Sequence, residues 1–263
     1  MKILLAAFYT PGVRAIEHLL SVGIEPQGIK LLTHATERNR VLLEYARVHG
    51  IETKTDPIRE SHVQKWVGEF RPDLLFSLYY RDIVPGSVLR KISLASLNLH
   101  PSLLPNYRGT FSAPWAIING EAVTGISYHE MEEEIDTGAI IYQEATPVLE
   151  RDTAYSLYHR LIDIGMRAFE SVFEAVLSGE VEKVPQKGAG SYFPRRVPND
   201  GYIDTSWSRE KVERFLRAMY FPPFSGAKIK LETAEERWIK SIDEYDAIVS
   251  GQLIGSGGAD ICE

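Results

Sequence analysis

Asn98 and His100 stand two residues apart at the end of an apolar run, 94–99. In a strand, side chains at i and i+2 share a face. An amide and an imidazole so placed point at one reacting centre. The amide can donate a hydrogen bond to it and the imidazole can accept a proton from it. The run opens into a loop rich in Pro and Gly, Pro101-Ser102-Leu103-Leu104-Pro105-Asn106-Tyr107-Arg108-Gly109. Taken alone, Asn-x-His also suits an ordinary strand end with satisfied polar groups, so the elements around it must decide.

Those elements alternate. Apolar runs at 3–8, 28–33, 73–79 and 94–99 read as strands, 52–55 reads as a short strand between them, and the segments 13–20, 37–48 and 61–70 have helical spacing, with Ser61 as a cap. Continuous apolar strands separated by helices predict parallel βαβ units covered on both faces, in which ligands lie beyond the carboxyl ends of the strands. Asn98 and His100 fall at such an end. A short helix at 114–119, an antiparallel strand pair at 124–131 and 139–145, and a long helix from Thr153 to Leu177, stopped by Gly179, follow. The fold class predicted is α/β, a Rossmann-like, mostly parallel sheet with a small C-terminal extension of helix and hairpin. The divisions are a catalytic domain at 1–190, an extension at 191–250 and a flexible tail at 251–263. In the extension, 208–219 reads as a helix broken by Phe221-Pro222-Pro223-Phe224, and 227–231 with 238–242 as a hairpin.

Bulk properties narrow the function. The 263 residues carry a net charge of −7, which argues against a broad footprint on nucleic acid. No apolar run reaches the ~18 residues of a membrane span, and the first residues read as a core strand, not a signal peptide. The single cysteine, Cys262, forms no internal disulfide and fits a reducing cytoplasm. The turn after the first strand lacks G-x-G-x-x-G, and no P-loop, H-E-x-x-H or C-x-x-C occurs, so neither a dinucleotide nor a metal is expected. Glu130, Glu132, Glu133 and Glu134 beside His129 match no metal spacing and read as a solvated edge, one that could raise the pKa of Asp136 by like charge.

The Asn98-Leu99-His100-Pro101-Ser102-Leu103-Leu104-Pro105 motif, with Asp136-Thr137-Gly138 some way downstream, resembles the folate-dependent formyltransferases. Ser191-Tyr192-Phe193 and the run from Arg217 to Phe224 resemble the nucleotide-sugar N-formyltransferase branch. The resemblance implies transfer of a formyl group from 10-formyltetrahydrofolate to the amine of an aminodeoxy sugar on a nucleoside diphosphate. A 4-amino-4,6-dideoxy sugar such as that of GDP-perosamine is the first choice, with the product feeding O-antigen and lipopolysaccharide synthesis. It also implies a cytoplasmic homodimer that needs no metal. By position, Asn98 serves the oxyanion, His100 takes the amine proton, and Asp136 orients the imidazole or relays the proton. Asp136 could instead cap the turn before Gly138.

Carried over in the same way, the folate lies against Ser77, Leu78, Tyr79, Tyr80 and Ile83, and against Ser102, Leu103, Leu104, Pro105 and Gly138. Main-chain groups there read the pterin edge. Tyr79 and Tyr80 equally suit packing. The acceptor candidates are Tyr107, Arg108, Gly109, Thr110, Trp115, Tyr192, Arg195, Tyr220 and Phe221. Arg108 could pair with a pyrophosphate in bidentate fashion, and the rings could stack on a base. The bland alternatives are solvated arginines and aromatics that cover the sheet end. Two other enzyme readings exist. A methionyl-tRNA formyltransferase needs a basic C-terminal domain, and a glycinamide ribonucleotide formyltransferase lacks such an extension. A non-catalytic folate- or nucleotide-binding module is disfavoured by Asn98, His100 and Asp136 occurring together.

Overall fold

A computed structural model describes residues 1–223, 226–231 and 235–251. The first half runs β1 (Ile3–Ala7), α1 (Thr10–Ser21), β2 (Ile29–Leu32), α2 (Arg40–Val48), β3 (Glu52–Lys54), α3 (Ser61–Phe70), β4 (Leu74–Leu78), α4 (Gly86–Leu89) and β5 (Ala95–His100). It continues through β6 (Arg108–Gly109), α5 (Ser112–Asn119), β7 (Val123–Glu130), β8 (Ile140–Pro147) and α6 (Ala154–Ser178). After these come β9 (Tyr192–Phe193), α7 (Arg209–Ala218), β10 (Ala227–Lys230), β11 (Glu236–Ile239) and α8 (Ile242–Val249).

Seven strands form one sheet in the order β3-β2-β1-β4-β5-β7-β8. The first five are parallel, and β7 and β8 add an antiparallel edge. The chain winds outward from β1 to β3, then returns to β4 on the other side of β1. The crevice beyond the carboxyl ends of β1 and β4 is therefore the topological switch point of the sheet. Every residue of β1 and β4 is buried, as their unbroken apolar sequences require.

Helix α6 backs the catalytic strand. Thr153 caps it in a reciprocal box with Ser156, and Gly179 ends it at φ 74°. A Cβ at Gly165 would meet Leu99 Cδ2 at 2.6 Å, so glycine lets α6 lie directly on β5. Phe169 and Phe173 of this helix pack on Phe76 of β4, with ring centroids 5.1 and 6.1 Å apart. The core continues without a break into Val212, Phe215 and Leu216 of α7 and Ile229 and Ile239 of the β10–β11 hairpin.

Some sequence expectations need correction. Helix α1 begins at Thr10, because Pro11 is accommodated in a first helical turn. Ser61 does not cap α3. The N-cap is Glu60, which makes no side-chain bond there. The two-residue strands β6 and β9 pair in parallel, Arg108 with Tyr192 and Gly109 with Phe193. They and the short helices α4 and α8 are too brief or too weakly patterned for periodicity to reveal. Phe224, Cys262 and nearly all of the expected tail lie outside the described residues.

Candidate active site

Strand β5 delivers Asn98 and His100 side by side. Antiparallel β7 sets His129 opposite Asn98 and Ser127 opposite His100, and directly opposed residues share a face. The β7–β8 connection then folds back over this face and places Asp136 against it, with Asp136 in the left-handed region at φ 56°. Asp136 Oδ2 stands 3.4 Å from His100 Nδ1, and Oδ1 stands 3.4 Å from His129 Nε2 and 3.5 Å from Asn98 Nδ2. The backbone N–H of Gly109 donates to Oδ2 at 2.8 Å. The three residues expected to act together are therefore in one cluster, joined by His129.

The hydrogen bonds settle the tautomers. A carbonyl can only accept, so the 2.7 Å contact between His100 Nε2 and the Tyr107 carbonyl puts a proton on Nε2. In the neutral ring, Nδ1 then carries the lone pair and faces Asp136. His129 donates from Nδ1 to the Glu130 carbonyl at 2.7 Å, which leaves its Nε2 to accept from Asn98 Nδ2 at 3.1 Å.

Burial lowers the pKa of His100 below the ordinary 6.5, and the repulsion of His129 adds to this. The Asp136 charge and the Tyr107 carbonyl pull the other way without restoring it. His100 is thus a neutral base at pH 7. Burial also pushes the Asp136 pKa up, but His100, His129 and the Gly109 N–H overcome this and hold it at about 2. The acidic run does not raise it, contrary to expectation. Glu130 is paired with Lys183 and Glu133 with Arg90, both at 2.6 Å, at the exposed rim. Among the described residues no group of three or more His, Cys, Asp or Glu is arranged to hold a metal ion.

The loop after His100 is pinned. Ser127 Oγ donates to the Ser102 carbonyl at 2.7 Å and receives the Leu104 N–H at 3.1 Å. Gln143 Nε2 donates to the Leu104 carbonyl at 3.1 Å, Ser102 Oγ donates to the Asn106 carbonyl at 2.6 Å, and the Leu103 carbonyl accepts from Asn106. Pro105, after a cis bond, accepts from Ser191. The carbonyls of Ser102, Leu103, Leu104 and Pro105 thus each accept a hydrogen bond within the protein.

Ser77 and Leu78 are buried in β4. Tyr79 packs edge-on against Tyr158 at 5.2 Å, with its buried hydroxyl unpartnered, and Tyr80 stacks on His34 at 4.9 Å. Ile83 is 66% exposed and Ile135, next to Asp136, is 36% exposed. A Cβ on Gly86 would meet Glu133 Oε1 at 2.2 Å, so the loops that carry Ile83 and Asp136 lie against each other.

On the acceptor side, Tyr107 reaches the site only through its carbonyl. Its ring stacks on Phe193 at 5.4 Å and its hydroxyl donates to Glu121 at 2.5 Å. Trp115 also stacks on Phe193, with ring centroids 4.5 Å apart. Arg108 is turned to Gln186, whose Nε2 in turn donates to the carbonyls of Asp136 and Gly138 at 2.8 Å each. Thr110 donates to the Pro194 carbonyl at 3.0 Å. Tyr192 and Tyr220 are exposed, Arg195 donates to the Arg81 carbonyl at 3.2 Å, and Phe221 packs among Tyr155 and Tyr158. Sequence reading missed two participants. His129 was visible only as a member of an acidic run, and pairing 124–131 against 94–99 would have found it. Gln186 carries no signal, because it lies 50 residues from Asp136.

Residues 16–173 match the sequence family described as Formyl transferase. The chain is 39% identical, over 95% of its length and 96% of the relative's, to the GDP-perosamine N-formyltransferase of Brucella melitensis. The crystal structure of a sugar N-formyltransferase from a Shewanella species is similar in fold, with a TM-score of 0.75 at 21% identity, covering 91% of this chain and 96% of that one. That of the N-formyltransferase from Helicobacter canadensis, complexed with folinic acid and dTDP-3-aminofucose, is similar with a TM-score of 0.73 at 25% identity, covering 85% and 82%. With a family match across most of the sheet and helix α6, and a relative alike from end to end, this chain belongs to the formyl transferase family.

Proposed function

We propose that this formyltransferase moves the formyl group of 10-formyltetrahydrofolate onto the amine of a nucleotide-linked aminodeoxy sugar, with GDP-perosamine as the first choice. The observation that carries the reading is the 39% identity, over 95% of the chain, to a GDP-perosamine N-formyltransferase. The site geometry supports the chemistry. The amine lone pair attacks the formyl carbon and the carbonyl electrons move onto its oxygen. Asn98 donates to that oxyanion through the Nδ2–H held only loosely by Asp136, 3.5 Å away. His100 Nδ1 takes the proton lost by the amine, and the imidazolium lies between the Tyr107 carbonyl and the ionised Asp136. His100 returns that proton to N10 as the C–N bond to tetrahydrofolate breaks.

Residues 1–190 are read as the catalytic part and 191–250 as an extension for acceptor binding, dimerisation or both. Ser77, Leu78, Tyr79, Tyr80, Ile83, Ser102–Pro105 and Gly138 remain the folate candidates. The exposed Ile83, on a loop that lies against the loop of Asp136, supports that side of the site. Tyr107, Arg108, Gly109, Thr110, Trp115, Tyr192, Arg195, Tyr220 and Phe221 remain the acceptor candidates. No helix among the described residues is long and apolar enough to cross a membrane. A cytoplasmic homodimer supplying O-antigen synthesis is the setting proposed, and a monomer by light scattering would contradict the dimer. The test of function is a screen of GDP- and dTDP-linked 3- and 4-amino sugars with 10-formyltetrahydrofolate. Formylation of the GDP-linked 4-amino sugar in preference to the others is expected. Turnover of none of them overturns the reading.

A further inference from the structure

Beyond the proposed catalytic cluster, Arg38 and Arg195, from distant parts of the chain, come within electrostatic reach of Arg81 near the switch point of the sheet. Arg81 follows β4, Arg38 follows β2 and Arg195 follows β9. Burial, joined by the charges of Arg38 and Arg195, draws the Arg81 pKa down from its ordinary value. Each is fixed in place. The Arg81 guanidinium lies 4.0 Å above the ring of Phe8, which directly follows β1. Arg195 donates to the Arg81 carbonyl at 3.2 Å, and Arg38 donates to the Pro222 carbonyl at 3.0 Å beside the ring of Phe221. Buried Asn39, next to Arg38, accepts from Tyr9 N at 2.7 Å and donates to Thr33 and His34 at 2.8 Å. That staple ties the turns after β1 and β2 together.

No carboxylate among the described residues pairs with any of the three, yet their sequence neighbours are neutralised. Arg40 pairs with Glu37 and Arg196 with Asp200. All three arginines are exposed to solvent. Like charges gathered without counterions, on a protein of net charge −7, make a local site for an anion that must come from outside. Guanidinium forks match phosphate oxygens in bidentate fashion. The rings of Phe221, Tyr155 and Tyr158 adjoin, with centroids 5.3 to 5.5 Å apart, and offer an apolar platform for the rest of a nucleotide. Arg195 also belongs to the segment whose β9 lies against Gly109, which holds Asp136. The anion site and the catalytic cluster thus share one structural support.

We propose that Arg38, Arg81 and Arg195 together bind the diphosphate of the acceptor nucleotide. Arg108, held by Gln186, does not take this role. The proposal rests on the nucleotide-sugar reading and adds where the diphosphate sits. The competing source of negative charge is the glutamate tail of the folate, and the two are separable by titration.

The experiment is calorimetric titration of the full chain with GDP, dTDP, GMP and 5-formyltetrahydrofolate, for the wild type and for Arg38→Gln, Arg81→Gln and Arg195→Gln. Each variant is expected to weaken GDP and dTDP binding about tenfold or more and to reduce the advantage of GDP over GMP. Binding of 5-formyltetrahydrofolate is expected to stay unchanged, which also reports that the variant is folded. Arg81→Lys, which keeps the charge but not the fork, is expected to recover part of the loss. Unchanged diphosphate binding, or a loss equal to or smaller than that for 5-formyltetrahydrofolate, overturns the proposal. If the arginines hold GDP but no amino sugar is formylated, the proposed reaction fails and the diphosphate site stands. If formylation occurs and the variants bind GDP normally, the reverse holds.

Discussion

At the scale of single residues, the proposed chemistry depends on one imidazole kept neutral and one carboxylate kept charged. Both are nearly sealed from water, with side chains 4% and 10% exposed. The Nδ1 atom of His100 has no proton in the resting state because the Tyr107 carbonyl fixes the proton on Nε2. The acidic limb of kcat is therefore expected below pH 6.5, where burial places the His100 titration. Asp136, with its pKa held at about 2, adds no limb in the working range. Asp136→Asn removes the charge that favours the imidazolium. A pH–rate series should show the limb moving to lower pH and the plateau falling, whereas an unmoved limb would dissociate Asp136 from His100. Asn98→Ala removes the oxyanion donor, and a loss of about 10²–10³-fold in kcat is expected in steady-state assays.

At the scale of elements, the site is assembled by short segments more than by the sheet. Gly109 sits at φ 90°, and a Cβ there would lie 2.1 Å from the Phe193 carbonyl oxygen. Gly109→Ala should push β6 from β9 and draw its N–H away from Asp136. A stability loss of about 1–3 kcal/mol in urea unfolding is expected, together with a fall in kcat larger than that of a surface glycine variant such as Gly23→Ala. The sequence made the main positions legible. Continuous apolar runs located β1, β4 and β5, and the paired motifs brought Asn98, His100 and Asp136 to one place. What sequence did not reveal has physical reasons. His129 becomes visible only once β7 is laid antiparallel on β5. Gln186 bridges loops that no periodicity relates. The pKa of Asp136 follows from which charges approach within hydrogen-bonding range, and the neighbouring glutamates point instead to Lys183 and Arg90.

At the scale of the whole molecule, the C-terminal segment is part of the same packed core. Phe215 of α7 is fully buried, and Arg214 Nε reaches back to the Ile118 carbonyl of α5 at 3.2 Å. Phe215→Ala should destabilise the chain by about 3–5 kcal/mol, read as a lower denaturation midpoint. A loss below 1 kcal/mol would mean that the extension packs independently. Through β9 this same segment supports Gly109 and hence Asp136, and through Arg195 it reaches the switch point. The proposed acceptor and catalytic sites thereby share one packed support. The measurement that tests the central claim most directly is the rate of formyl transfer from 10-formyltetrahydrofolate to GDP-perosamine at saturating concentrations, wild type against His100→Asn. With His100 as the base, the variant should lose about 10²–10⁴-fold in kcat while its GDP affinity stays within a factor of two. A variant rate within a few-fold of the wild type would contradict the account.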